Sequence, residues 1–387
     1  MTAETAVILD IIGRGSIVKY DFYMPVKVFS GKDCIKSNAD RFALGRCCMI
    51  VTGASSAIKS GALDDVISVL SDKNIEYVIF DKIRENPLLS TIYDAGVIAA
   101  ESGCDFVIGI GGGSPMDAAK AIAAFAANPG IEPDGIYNVS ALKPSLPIIE
   151  IPTTSGTGSE ANPYSIITLD GEDKKKTFNS PCSYAKYAFL DYKYTLTLSR
   201  NYSLSTALDA FCHCIESYIS PKSTEISRMF ALWGAKHIWD SFDELDSGNI
   251  SENTREALMY ASFAGGVAIN TTGTGFPHPM GYNLTFHSEL PHGRACAAFI
   301  GKYVEYQQKD EKGRELIDNF AKALETTPEE IAQKLPKLSE YNENIDDEII
   351  CMFAEKIKTA GNFANAQYKI SYEEMIEIYK ELFQNNG

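Results

Sequence analysis

Histidine and tryptophan are scarce in this sequence, with five of the first and two of the second among 387 residues. Basic residues are short as well: 35 Lys and Arg stand against 51 Asp and Glu, leaving a net charge of −16. Such a chain repels phosphate backbones, so a nucleic-acid partner is excluded unless a local basic patch exists. The one cationic run, Lys174–Lys176, is too short to form one. There is no apolar run of ~18 residues, so no membrane span is expected. There is no Cys-x-x-Cys, which argues against a zinc ribbon or a thioredoxin-like pair. The nine cysteines (34, 47, 48, 104, 182, 212, 214, 296 and 351) are odd in number and scattered, as in a reducing compartment. Near the start, Ala6–Leu9 is apolar but is cut by Asp10 and lacks a basic flank, so no secretory leader is expected. A cytoplasmic location follows as the expectation. At 45% hydrophobic and 22% charged the composition is globular, and the length suggests two domains.

The first half alternates β-branched runs with helical periodicity. Strands are expected at 48–52, 77–80, 105–110 and 147–151, and helices at 62–70, 92–100 and 115–127. Fully apolar strands alternating with helices imply a parallel sheet covered on both faces. After about Thr195 long helical periodicities take over, at 208–218, 228–242, 255–267, 316–324, 346–360 and 372–383. The expected fold is therefore an N-terminal α/β domain (1–194) followed by a C-terminal all-α domain (195–387). Ligands of such sheets bind beyond the carboxyl ends of the strands, which directs attention to the loops after the third and fourth.

Gly109-Ile-Gly-Gly-Gly-Ser-Pro-Met-Asp117 follows the third strand and opens a helix. Ser114 is expected as its N-cap, Pro115 as its first helical residue and Asp117 as the third position of a capping box. Bare glycines at a helix N-terminus let a phosphate reach free N–H groups. The run is neither a P-loop nor G-x-G-x-x-G, so by itself it leaves the ligand open. Pro152-Thr-Thr-Ser-Gly-Thr-Gly-Ser-Glu160 follows the fourth strand and repeats the argument, with hydroxyls suited to a pyrophosphate.

Asp209 and His213, four apart, share one helical face. His278 and His292 lie in a Pro/Gly-flanked segment, 277–294. Together they make an Asp–His₃ set suited to a divalent metal, with room for a substrate oxygen. Cys212 and Cys214 read as packing residues, and His237 as ordinary helix. His287, between the proposed ligands, stays open.

With these motifs in order, Gly111–Lys120, Pro152–Glu160, Asp209/His213 and His278/His292, the chain resembles the iron-containing (group III) alcohol dehydrogenase family from about Phe22 to its end. The resemblance implies that the α/β domain is a Rossmann-like dinucleotide-binding domain and the all-α domain a metal-binding one, with NAD(P) along both loops and a metal near the nicotinamide. Asp209, His213, His278 and His292 match the family's metal ligands. Gly112, Gly113 and Ser114 match the pyrophosphate loop with Asp117 as its supporting carboxylate, and Thr153, Thr154 and Thr157 match cofactor-contacting positions. Lys175 matches a family lysine near the cofactor. Iron is expected on the resemblance alone; the ligand set also accepts zinc. A homodimer is expected with it.

Two departures sharpen the expectation. Where many NAD-using relatives carry Asp after the first strand, this chain has Gly53, followed by Ser55 and Ser56. An Asp would bond a ribose 2′-hydroxyl and repel a 2′-phosphate, so NADP(H) is expected to be preferred over NAD(H). Where many members carry a further His, this chain has Tyr282, leaving Tyr282, a water chain or His287 as proton relay. The expected reaction is interconversion of primary alcohols and aldehydes by hydride transfer. The alternatives are a lyase resembling dehydroquinate synthase, for which only Arg294 supplies a cation near the ligands, and a non-catalytic nucleotide-binding scaffold.

Overall fold

The computed structural model describes residues 20–172 and 174–384; the Ala6–Leu9 stretch lies outside them. Contacts divide the chain into two compact units, one of Tyr23–Ser199 with Ile250–Gly266, the other containing Arg200–Asn249 and the chain from Val267 onward.

In the first unit, strands β1 (Lys27–Ser30), β2 (Cys47–Thr52), β3 (Glu76–Phe80), β4 (Phe106–Gly111), β5 (Ile148–Pro152) and β8 (Tyr187–Leu190) form one sheet in the order β1-β8-β5-β4-β2-β3. Every pairing is parallel. Helices α1 (Ala62–Asp72), α2 (Leu89–Glu101) and α3 (Gly113–Ala127) make the crossovers. β2, β4 and β5 are buried along their whole length. Because side chains alternate along a strand, they feed two separate apolar clusters. Met49, Val51, Val107 and Ile148 pack with Ala95, Ala118 and Ile122 of α2 and α3. Cys48, Ile50, Ile108 and Ile151 pack with Leu63, Val66 and Leu70 of α1. Burial on both faces is why these strands read as continuous apolar runs rather than alternating ones.

The four strands and three helices expected in this half are present, with ends shifted by at most three residues. Three features escape the apolar pattern. β1 and β8 are only four residues long, and β1 is partly exposed. An antiparallel hairpin, β6 (Tyr164–Thr168) with β7 (Lys175–Asn179), includes part of the lysine run and buries only Phe178 on its second strand. Only Ile167 and Phe178 of the hairpin strands join the apolar core, too few to make a continuous hydrophobic run.

The second unit is helical. α4 (Arg200–Ile219) is buried almost continuously from Ser203 onward, making it the central helix. α5 (Glu225–Ser247) begins with a Thr224–Ser227 capping box and ends at Gly248, whose φ of 80° suits a glycine. α6 (Glu252–Thr272) runs from one unit into the other. Then come α7 (Pro277–His287), α8 (His292–Ala297), α9 (Ile300–Gln307), α10 (Glu311–Ala323), α11 (Pro328–Ser339), α12 (Asp347–Ile357) and α13 (Tyr372–Gln384). Two glycines permit close packing near the future site. A Cβ on Gly293 would lie 1.9 Å from the Ser205 carbonyl of α4, and one on Gly281 would lie 3.0 Å from the α8 backbone. We keep 194/195 as a proposed division of the chain; β8 ends at Leu190 and α4 begins at Arg200. Among the described residues no helix is long and apolar enough to cross a membrane.

Candidate functional site

Because α4 is buried on nearly every side, its polar residues are forced inward. Asp209, His213 and Glu216 are 4%, 6% and 0% exposed, so the pair four residues apart is not a solvated surface pair. His278 comes from the first turn of α7 and His292 from the first residue of α8. The Nε2 atoms of His213, His278 and His292 lie 3.7, 3.6 and 3.7 Å from one atom, Asp209 Oδ1. Metal–ligand bonds of about 2.1 Å place tetrahedral neighbours about 3.4 Å apart, so these spacings bracket a cation rather than hydrogen bonds. Asp209 Oδ1 and His278 Nε2 are buried with no hydrogen-bond partner, an arrangement that a bound cation would resolve. The residues present therefore fit a divalent metal. His292 is the one candidate ligand with a substantially exposed side chain, at 25%, so the open side of the cluster lies beside it.

The charges agree. Burial opposes ionisation of Asp209, yet His213, His278 and His292 hold its carboxyl well below the usual range. Burial would depress His278, but Glu216 and Asp209 outweigh it and raise its pKa to about 9. Two buried carboxylates thus call for positive charge at this point, which a divalent cation supplies in place of a proton.

Glu216 escaped sequence analysis, although it sits three residues after His213. Its carboxylate accepts the His278 Nδ1–H at 2.8 Å and the Gly275 N–H at 2.5 Å. With Nδ1 occupied as a donor, Nε2 of His278 is left with its lone pair towards the cluster, the arrangement that fixes tautomer and ring orientation in metal sites. Cys296 was also missed. Donor atoms of Asp209, His278, His292 and Cys296 lie within 4.8 Å of one another. Cys296 Sγ is 3.7 Å from both ring nitrogens of His292, the same spacing as the other donors, so the thiol stands at the cluster as a further candidate donor. Cys212 and Cys214 are fully buried, and burial pushes both thiols up, as expected of packing residues.

Tyr282, one turn after His278, stacks on the His292 ring at 5.2 Å and 24°. His287 is different. It lies nine residues after His278, on the opposite face of α7, is exposed, and meets Phe353 edge-on. The structure thus corrects the option that His287 substitutes for the missing histidine. His237 stacks on Trp233 and bonds the Trp233 carbonyl, as a helix residue. Arg294 is spent on Glu340, with Nη1 at 2.5 Å, which leaves the lyase alternative without its cation.

In the first unit, the glycine-rich turn ends β4 and opens α3. The helix begins at Gly113 with Gly112 as its cap, so Ser114 is inside the first turn and is not the N-cap. Asp117 does not close a capping box either. Its carboxylate accepts from Ser159 Oγ at 2.5 Å and from the Ile166 N–H at 2.9 Å, on the neighbouring loop and strand. Burial raises its carboxyl above the usual range, against Lys120 and Lys175. The hydroxyl loop after β5 packs directly on the turn. A Cβ on Gly112 would meet Thr154 Oγ1 at 3.2 Å, and one on Gly113 would meet Thr157 Cγ2 at 2.6 Å. Gly112, Gly113, Ser114, Thr154 and Thr157 are half-buried, so both loops present them at a common surface; Thr153 is buried beneath. Free N–H groups at the start of α3 and hydroxyls opposite them fit a pyrophosphate. Gly53 directly follows β2, with Ser55 exposed and Ser56 half-buried in the turn beyond it; Lys175 opens β7, opposite Thr168.

A phosphate-type glycine turn on a parallel sheet, in a chain that also gathers three imidazoles on one carboxylate, defines the class of metal-using, nucleotide-using enzymes. Residues 25–192 match the family described as iron-containing alcohol dehydrogenase, and residues 203–383 match the Fe-containing alcohol dehydrogenase family C-terminal domain. The chain belongs to the iron-containing alcohol dehydrogenase family. An iron-containing alcohol dehydrogenase from Thermotoga maritima is similar in structure, with a TM-score of 0.87 and 33% identity over 94% of this chain and 99% of that one. The sulfoacetaldehyde reductase of Bilophila wadsworthia is 31% identical, covering 72% of this chain and 73% of its own. The 1,3-propanediol dehydrogenase of Citrobacter freundii is 27% identical, covering 74% and 75%.

Proposed function

We propose that this protein is a metal-dependent alcohol dehydrogenase that interconverts primary alcohols and aldehydes and prefers NADP(H) to NAD(H). The observation that carries this reading is the convergence of three imidazole Nε2 atoms within 3.7 Å of Asp209 Oδ1. Asp209, His213, His278 and His292 would hold the metal, iron by family and zinc as the alternative. When bound, that ion supplies Lewis-acid charge to an alcohol or carbonyl oxygen. Glu216 orients His278, and Tyr282, stacked on His292, is the proposed proton relay at the open side of the cluster. The two loops orient the dinucleotide, whose nicotinamide carries the hydride chemistry. The relatives named for propanediol, methanol and sulfoacetaldehyde support a small primary alcohol or aldehyde as substrate. The 2′-phosphate preference rests on Gly53, where no carboxylate opposes a phosphate, with the Ser55 and Ser56 hydroxyls close by.

The test is anaerobic loading with Fe²⁺ or Zn²⁺, followed by butyraldehyde reduction with NADPH and, separately, NADH. Metal-dependent oxidation of NADPH faster than NADH is expected. No metal-dependent turnover with either would overturn the dehydrogenase reading, and equal use of both would overturn the cofactor preference.

A further inference from the structure

Lys120 is fully buried, an unusual place for an ammonium group unless it is paired. It lies on α3, three residues after Asp117 and therefore on the same face. Its Nζ donates to Ser159 O at 2.7 Å, Ser159 Oγ at 2.6 Å and Tyr164 O at 2.9 Å. All three ammonium protons are thus directed at the segment that leaves the hydroxyl loop. Ser159 Oγ, accepting from Lys120, passes its own proton bond to Asp117. Asp117 in turn holds the Ile166 N–H, and its carbonyl accepts from Ser165 Oγ at 2.6 Å. At the other end of the loop, the Thr153 N–H bonds Gly111 O at 2.8 Å. The loop from 153 to 159 is therefore pinned at both ends to the strand and helix that carry the glycine turn, and Thr154 and Thr157 are held against Gly112 and Gly113 between the two pins.

Two carboxyl groups face the ammonium: Asp117 Oδ1 at 3.8 Å, itself hydrogen-bonded, and Glu150 Oε1 of β5 at 3.9 Å. Glu150 is fully buried with neither carboxyl oxygen hydrogen-bonded, and burial pushes its carboxyl well above the usual range, so Asp117 is the counter-charge. Glu150 sits opposite Gly109 in the sheet. An apolar side chain would fill Lys120's volume, but it could not fix the direction of three bonds. Buried charge is a means of selecting one arrangement among several that pack equally well.

We propose that Lys120 is a positioning residue for dinucleotide binding: by bonding Ser159 and Tyr164 it locks the hydroxyl loop onto the glycine turn, with Asp117 as its counter-charge. It touches no reacting atom. The inference rests on the dinucleotide reading of these loops, so the test begins with the wild-type protein, whose binding of NADPH is followed by nicotinamide fluorescence without substrate. If the metal-loaded wild type binds neither NADPH nor NADH, the dinucleotide reading itself fails. If it binds, Lys120→Met/Glu150→Gln is compared with it; the second change removes the buried, unbonded carboxyl that would otherwise face an apolar side chain. The double variant is expected to fold and to keep its metal, while its Kd for NADPH rises at least about tenfold, as loss of charge-assisted bonds implies. The effect should appear in the KM for dinucleotide more than in kcat. A folded double variant whose Kd lies within about twofold of wild type would overturn the assignment, as would loss of metal and dinucleotide together. Ser159→Ala removes the bridging hydroxyl and leaves no uncompensated charge; it should weaken NADPH binding about threefold to tenfold. If the double variant does not fold, an unchanged Kd in Ser159→Ala overturns the proposal.

Discussion

The metal cluster and the nucleotide cradle solve different problems with different parts of the chain. In the cluster, chemistry resides in side chains: four candidate ligands and Glu216, each able to do what its neighbours cannot. In the cradle, chemistry resides largely in the backbone, and side chains matter mostly by being absent, as at Gly112 and Gly113, or by holding a loop in place, as Asp117 does. The difference teaches that a substitution in the cluster should remove a function outright. One in the cradle should alter an affinity by degrees.

The largest effect tests the first half of that statement. Asp209→Asn removes the charge around which three imidazoles are grouped; metal content should fall close to zero and turnover by more than ~100-fold, beyond what loss of an outer-shell partner costs. Metal analysis alongside steady-state rates checks this, and a variant that keeps its metal breaks the comparison. Glu216→Gln keeps a hydrogen-bond acceptor for His278 but loses its charge. Metal affinity, measured by chelator competition, should weaken about 10- to 100-fold with dinucleotide binding unaffected. Next comes Gly113→Ala, whose Cβ would press on Thr157 at 2.6 Å. Overpacking of about 1–2 kcal/mol should raise the KM for dinucleotide roughly tenfold and leave metal content alone. The smallest effect, and the one that sharpens the cradle most, is Gly53→Asp. It should lower the NADPH-to-NADH ratio of kcat/KM by about tenfold, since a carboxylate there favours a ribose hydroxyl over a phosphate; an unchanged ratio would show that position 53 does not read the 2′ group.

Much of both regions was legible in advance, for reasons that can be named. Strands β2, β4 and β5 announce themselves because burial on both faces demands uninterrupted apolar residues. Asp209 and His213 were legible as a pair because four residues on a helix return to the same face. Other features had no such signal. A lone Glu in an otherwise ordinary helix does not reveal that it meets a histidine 62 residues later, as Glu216 does. The start of α3 was misplaced for a related reason: Ser, Pro and Asp spell a capping box locally, but Asp117 is drawn away by Ser159 and Ile166, partners that the local pattern does not contain. His287 looked like a substitute by proximity along the chain, whereas nine residues of helix turn it to the far side.

By itself, the sequence determined the layered sheet, the helical second half, the two glycine- and hydroxyl-rich turns and the identity of four candidate ligands. Periodicity, turn chemistry and rare residue types are written along a single chain, and a reader of the chain can recover them. Tertiary structure alone decided that three imidazoles converge on one oxygen of Asp209, that Glu216 sets the tautomer of one of them, and that Tyr282 rather than His287 stands beside the cluster. It also decided that Lys120 is buried beneath the cradle, bonded to a loop 39 residues away. These are contacts between distant segments, set by how helices and strands pack, and packing selects among partners that the sequence leaves equally possible.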